Sequence, residues 1–160
     1  MIVIEKKQII IILALAVGLG FLRSFFLDDE EFALIKKERV IQEVSSFVVP
    51  DEMTGPMIVN LEFAKYHFDA GSAIFIDARD SEDYEAGHIR DAINIPYDYY
   101  EDYEDVMNEL DDTSTYIIYC SGEECSLSID LADYLYTEKL IDKLLIFEGG
   151  WPQWRHAGYP

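Results

Sequence analysis

The sequence predicts an α/β protein of three layers. A parallel sheet of about five strands carries helices on both faces, and one N-terminal transmembrane helix precedes it. Three observations point there. From residue 57 onward, short runs rich in β-branched and aromatic residues alternate with segments whose apolar residues recur at helical spacing. Such alternation is the pattern of parallel strands joined by crossover helices. Ahead of it, Ile9–Leu22 is an unbroken apolar or Gly run that follows Lys6 and Lys7.

The first segment, 1–27, reads as a membrane anchor. The apolar run alone is short for a span, which takes roughly 20 residues. If Arg23 snorkels, the segment extends through Phe25 and Phe26 to Leu27 and is long enough. Basic residues before it and Asp28, Asp29, Glu30 and Glu31 after it set the N-terminus in the cytoplasm. The rival reading is a cleaved signal peptide. Its one small-x-small candidate, Ala14-Leu15-Ala16, lies inside the apolar run, where cleavage is disfavoured. Both readings put the remainder on the periplasmic or extracytoplasmic side. Residues 28–56 are charged, with Phe32, Leu34, Ile35, Val40, Ile41 and Val44 mildly periodic, and read as a helical linker ended by Pro50 and Gly55-Pro56.

The main domain is expected over 57–160. Met57–Val59 is a short strand, and Leu61–Asp69 a helix closed by Gly71. Ala73–Asp77 is a strand. Ser81–Glu85 starts a short helix with Ser81 as its N-cap. Ala92–Ile95 is a strand stopped by Pro96, and Tyr99–Leu110 an acidic helix. Tyr116–Cys120 is a strand, Ser126–Leu140 a helix and Leu144–Phe147 the last strand. No internal repeat or low-complexity tract interrupts this order.

Charge narrows the partners. The 160 residues hold 12 Lys and Arg against 32 Asp and Glu, a formal net charge of −20. Nucleic acid is excluded as a partner on this ground, because phosphate binding needs clustered cations. Peripheral docking on anionic lipid is excluded likewise. Two cysteines, Cys120 and Cys125, are too few for a disulfide scaffold. His67, His88, His156 and the cysteines lack compact ligand spacing, so no metal is expected. No organic cofactor is implied.

The stretch with chemical promise is Tyr116-Ile117-Ile118-Tyr119-Cys120-Ser121-Gly122-Glu123-Glu124-Cys125-Ser126. It reads as a buried strand, a loop and a helix start. Cys120 falls at the carboxyl end of the strand, where open α/β sheets bind ligands. Backbone N–H groups of the loop and helix start favour an anion, and so a thiolate or a persulfide. The plain alternative for Cys120 is a small buried hydrophobe. Five positions on, Cys125 is either a small residue fitted to a helix start or a resolving thiol that attacks an oxidised or persulfidated Cys120.

Three separated segments together resemble the rhodanese family of sulfurtransferase domains. The first is Ile76-Asp77-Ala78-Arg79 followed by Tyr84-Glu85-Ala86-Gly87-His88-Ile89-Arg90-Asp91-Ala92-Ile93-Asn94-Ile95-Pro96. The second is the Cys120 loop. The third is Glu148-Gly149-Gly150-Trp151-Pro152-Gln153-Trp154-Arg155-His156-Ala157-Gly158-Tyr159-Pro160. Their order and spacing fit the family over about 57–160. Asp91 stands where the family usually has Gly.

The resemblance implies a rhodanese-like fold in which Cys120 is the nucleophile and sulfur carrier. Ser121, Gly122, Glu123, Glu124 and Ser126 would form the cradle for substrate or anion. Asp77, Arg79, His88 and Trp151 would serve as structural support. The family loop often carries Arg at its first and fifth positions after the Cys. Here those positions are Ser121 and Cys125, and the loop holds no cation. Two carboxylates repel an anionic donor and raise a thiol pKa, so thiosulfate:cyanide transfer is disfavoured. The absent Arg also argues against a tyrosine-phosphatase-like use of the loop. A sulfur donor of other charge, or a protein thiol, is the expected partner. The function expected is a sulfurtransferase or thiol-redox protein with an atypical, Arg-free loop. The rival is a non-catalytic rhodanese-fold module presenting an acidic face to a membrane-bound or secreted partner.

Overall fold

The computed structural model describes residues 47–122 and 125–160, together with Lys7, Leu15, Val17, Gln42 and Glu43. The chain divides into two units, Met1–Val40 and Ile41–Pro160. In the first, Lys7, Leu15 and Val17 are helical and exposed. The rest of the anchor expected at 1–27 lies outside the described residues, as does most of the linker expected at 28–56. Among the described residues no helix is long and apolar enough to cross a membrane.

The second unit is built on six parallel strands in the order β1-β2-β6-β5-β3-β4. They are β1 Gln42–Glu43, β2 Met57–Val59, β3 Ile74–Asp77, β4 Ile93–Asn94, β5 Tyr116–Tyr119 and β6 Leu144–Phe147. Five α-helices join them among the described residues: α1 Leu61–Ala70, α2 Ser81–Ala86, α3 Glu104–Asn108, α4 Leu127–Glu138 and α5 Gly150–His156. A 3₁₀ helix spans Tyr97–Tyr103.

The central strands β5 and β6 are buried at every residue, as parallel strands covered on both faces must be. Their alternation sorts the core into two. Ile76, Tyr116, Ile118, Cys120, Leu144 and Ile146 pack on one face with Met107 of α3 and Leu131, Ala132 and Leu135 of α4. Phe75, Ile117, Tyr119, Leu145 and Phe147 pack on the other with Phe63 and Ala64 of α1 and Trp154 of α5. The register Asp77↔Tyr119↔Phe147 lines up the carboxyl ends of β3, β5 and β6. Side chains just beyond those ends therefore share one edge of the sheet.

Four expectations change. Among the described residues the sheet has six strands rather than about five. Its extra strand is Gln42–Glu43, within the stretch expected to be helical. There the backbone pairs with Met57 and Ile58, which fills the ladder on the open side of β2. The N-cap of α2 is Asp80, whose carboxylate accepts from the Asp83 N–H at 3.1 Å. The Ser81 hydroxyl is engaged elsewhere, with Asn94 and Tyr103. The acidic helix expected over Tyr99–Leu110 is two pieces, a 3₁₀ helix over Tyr97–Tyr103 kinked at Tyr99 and α3 over Glu104–Asn108. Tyr97, Tyr100 and Tyr103 all pack against the core. Tyr100 and Tyr103, beyond the kink, keep the spacing of three that is the period of a 3₁₀ helix.

Asn60 caps α1 through a 2.9 Å bond from the Phe63 N–H, and Gly71 ends it at φ +60°. On this helix His67 ties down the start of the domain. Its Nε2 lies 3.2 Å from the Phe47 carbonyl and its Nδ1 2.7 Å from the Ser72 hydroxyl. A carbonyl only accepts, so Nε2 carries the proton and Nδ1 accepts from Ser72. Burial pushes the His67 pKa below its ordinary 6.5, against a smaller upward pull from the Phe47 carbonyl. The neutral ring is thus the folded form. Its contribution to stability is complete above pH 6.5 and lost as pH falls through the lowered folded value. Urea midpoints measured across that range should fall on the acid side, and His67→Gln should flatten the dependence.

Candidate functional site

β5 ends at Tyr119, which places Cys120 at the sheet's carboxyl edge. The position is locked by the backbone of the last helix. The Trp151 N–H donates to the Cys120 carbonyl at 3.0 Å. Gly150 has φ +55°, and a Cβ there would lie 2.2 Å from the Cys120 oxygen and 2.8 Å from the Gly122 nitrogen. Only glycine allows this approach.

The Cys120 side chain turns inward, 1% exposed. Its thiol donates to the Cys125 carbonyl at 3.3 Å, and the Ser128 hydroxyl stands 3.4 Å away. The Gly122 carbonyl lies farther off at 3.9 Å. Burial raises the thiol pKa and the neighbouring Cys125 thiol raises it further. The Ser128 hydroxyl and N–H pull it back down, and the balance lies above the ordinary value. The resting group is a protonated thiol.

Tyr119, one residue earlier, points to the opposite face, where a buried ion pair sits. Asp77 is fully buried, and Arg79 is nearly so. The Arg79 Nη2 is 2.5 Å from Asp77 Oδ2, and Nε is 2.9 Å from Oδ1. The Arg79 N–H also donates to Oδ1 at 3.0 Å, and Nη2 to the Gly87 carbonyl at 2.8 Å. Burial pulls the Arg79 pKa down, but the bonds and charge of Asp77 outweigh it, so the group is held above its ordinary value. The guanidinium lies 5.9 Å from the Tyr119 ring centre and 5.7 Å from that of Trp151. Burial pushes the Tyr119 hydroxyl up, as does the Asp77 charge. That hydroxyl accepts from the Ile89 N–H at 3.0 Å.

Cys120, Gly122 and Cys125 therefore come together with Ser128. The Cys125 N–H is spent on the Gly122 carbonyl at 2.9 Å. Ser121 is exposed. Ser126 directly precedes α4, and its carbonyl accepts from the Ile129 and Asp130 N–H groups. Glu123 and Glu124 lie outside the described residues. The loop turns the Cys125 and Gly122 carbonyls toward the sulfur, and the N–H that favours its anion is that of Ser128. Asp77, Arg79 and Trp151 brace the sheet edge on the face away from the thiol. His88 stacks on Tyr84 with ring centres 3.8 Å apart, and its Nδ1 lies 2.8 Å from the Tyr84 carbonyl. Among the described residues no group of three or more His, Cys, Asp or Glu could hold a metal. Ser128 was absent from the sequence reading. Its signal is a hydroxyl in the first turn of the helix that follows the cysteine loop.

A cysteine at the end of a central parallel strand, facing the first turn of the next helix and clamped by a Gly-Gly turn, defines a loop-cysteine α/β domain. The chain belongs to the Rhodanese-like domain family, whose model matches residues 61–157. An HTH-type transcriptional regulator of Mycobacterium tuberculosis is 34% identical over 92 residues, which are 58% of this chain and 38% of that protein. The chain thus spans well under half of that relative's length. A crystal structure of a Bacillus halodurans protein aligns with TM-score 0.54 at 26% identity, covering 62% of this chain and 72% of that one. The thiosulfate sulfurtransferase of Pseudomonas aeruginosa aligns with TM-score 0.54 at 21% identity, over 64% of this chain and 19% of that one. At that identity the likeness is one of fold.

Two outcomes are expected. Asp77→Asn strips the carboxylate from a buried guanidinium and should lower unfolding free energy by about 3 kcal/mol in urea titration. Ser128→Ala removes a group that favours the thiolate, so alkylation of Cys120 by iodoacetamide near neutral pH should slow, with the rate's pH midpoint moving up.

Proposed function

We propose that Cys120 is a sulfur carrier. Its thiolate attacks the outer sulfur of a persulfide donor, a new S–S bond forms, and the donor's thiolate leaves with the electron pair. The Cys120 persulfide then passes its outer sulfur to an acceptor thiol. One observation carries this reading: in a rhodanese-like fold, the Cys120 sulfur lies within 3.4 Å of the Ser128 hydroxyl at the first turn of α4. The raised thiol pKa and the net charge of −20 favour donors other than the thiosulfate dianion. Residues 1–27 serve as an anchor in this reading, with the domain on the extracytoplasmic side. Lys6 and Lys7 before the apolar run and the four acids after it support that orientation.

The second reading is a non-catalytic binding module. It is favoured by the 1% exposure of Cys120 and by the bond from its thiol to the Cys125 carbonyl. Turnover separates the two. The detergent-solubilised full chain should take up one sulfur from glutathione persulfide faster than from thiosulfate. Uptake by Cys120 should rise with pH through the elevated thiol pKa, and peptide mass spectrometry should find the sulfur on Cys120 and its loss once an acceptor thiol is added. A wild-type chain that gains no sulfur from either donor at any pH leaves the module.

A further inference from the structure

The two cysteines differ in access. Cys120 is 1% exposed, with its sulfur turned into the core. Cys125 is partly exposed and packs against the same core cluster that contains Cys120. The Cys125 carbonyl stands 3.3 Å from the Cys120 sulfur, and the Cys125 N–H donates to the Gly122 carbonyl at 2.9 Å. Of the two thiols, Cys125 is the more exposed to a donor in solution.

Resting on the sulfur-carrier reading, we propose that Cys125 is the entry and exit thiol of a two-cysteine relay in which Cys120 is the protected store. In loading, the Cys125 thiolate attacks the outer sulfur of a low-molecular-weight persulfide. A Cys125 persulfide forms and the donor thiolate departs. The Cys120 thiolate then attacks the outer sulfur of that persulfide. The sulfur moves to Cys120, and Cys125 leaves as a thiolate that takes up the proton Cys120 lost. No net oxidation occurs, and each step breaks one S–S bond as it makes another. Unloading runs the same steps in reverse toward an acceptor thiol. Cys120 is the more sheltered of the two positions for a sulfur prone to oxidation, and the Ser128 hydroxyl lies 3.4 Å from its Sγ. Attack on the inner sulfur is the competing course. It would give a Cys120–Cys125 disulfide and release hydrosulfide.

The test follows sulfur by anaerobic intact-mass and peptide mass spectrometry on the full chain, with glutathione persulfide as the probe. Wild type should accumulate sulfur on Cys120. Cys120→Ser should carry it on Cys125 at an undiminished initial rate. Cys125→Ser should load Cys120 about tenfold or more slowly, the scale of losing a held intramolecular nucleophile. If that variant fails to fold by circular dichroism, limited iodoacetamide labelling of wild type keeps the question open to decision, because Cys125 should be alkylated before Cys120. Loading of Cys120 in Cys125→Ser at the wild-type rate, or alkylation of Cys120 first, overturns the relay and leaves the sulfur-carrier reading standing. A disulfide with free hydrosulfide as the main product overturns the relay in favour of a resolving role. No sulfur on either cysteine of wild type overturns both readings together.

Discussion

The geometry at Cys120 depends on a contact between two backbones about thirty residues apart in sequence. The Cys120 carbonyl and the Gly122 N–H lie so close to residue 150 that a single methyl group would collide with both. The Trp151 N–H closes the contact from the other side. A strand end, a loop and the start of the last helix are thereby held as one piece. Hydrogen bonds to backbone leave little freedom to slide, and a positive φ at Gly150 excludes other residues by sterics.

The sheet divides labour across its two faces. Neighbouring residues of one strand point opposite ways, so Tyr119 and Cys120 serve different environments. On the Tyr119 side, Asp77 and Arg79 form a buried pair whose remaining bonds go to the Gly87 carbonyl and the Arg79 N–H. Breaking such a pair is costlier than the pair's net worth, because each partner would leave an uncompensated charge behind. On the Cys120 side, the surroundings are apolar apart from Ser128 and two carbonyls. A thiol is stable there, and a thiolate has one hydroxyl and one N–H in its favour. Structural charge and chemical sulfur are kept apart by the thickness of the sheet.

Placement of charge completes this arrangement. Among the described residues, Asp77 and Arg79 are the charged side chains that are buried. The acidity that gives the chain its net charge of −20 is therefore carried largely outside the core. It acts on what approaches the loop and disfavours multiply charged anions. The pKa of the buried sulfur is set chiefly by desolvation and the nearby Cys125 thiol. Access and affinity are thus governed by different parts of the molecule.

Much of the fold was legible in local pattern. β2, β6 and the body of β3 and β5 follow from short apolar, β-branched and aromatic runs, and the end of α1 from Gly71, which adopts the left-handed conformation glycine favours. The three motif segments, read together, located the cysteine loop. Other features had no local signature. Gln42–Glu43 is a strand because β2 offers it an open edge. Asp80 caps α2 because Ser81 is drawn to Asn94 and Tyr103. Ser128 matters because α4 carries its hydroxyl to a sulfur eight residues away. By itself the sequence determined the strand-loop-helix order around Cys120, the lack of a cation in that loop and the acidity around it, since these are properties of composition and spacing. Only the tertiary structure decided which way the sulfur points, how deeply it is buried and which groups set its charge, because those depend on packing between segments distant in the chain.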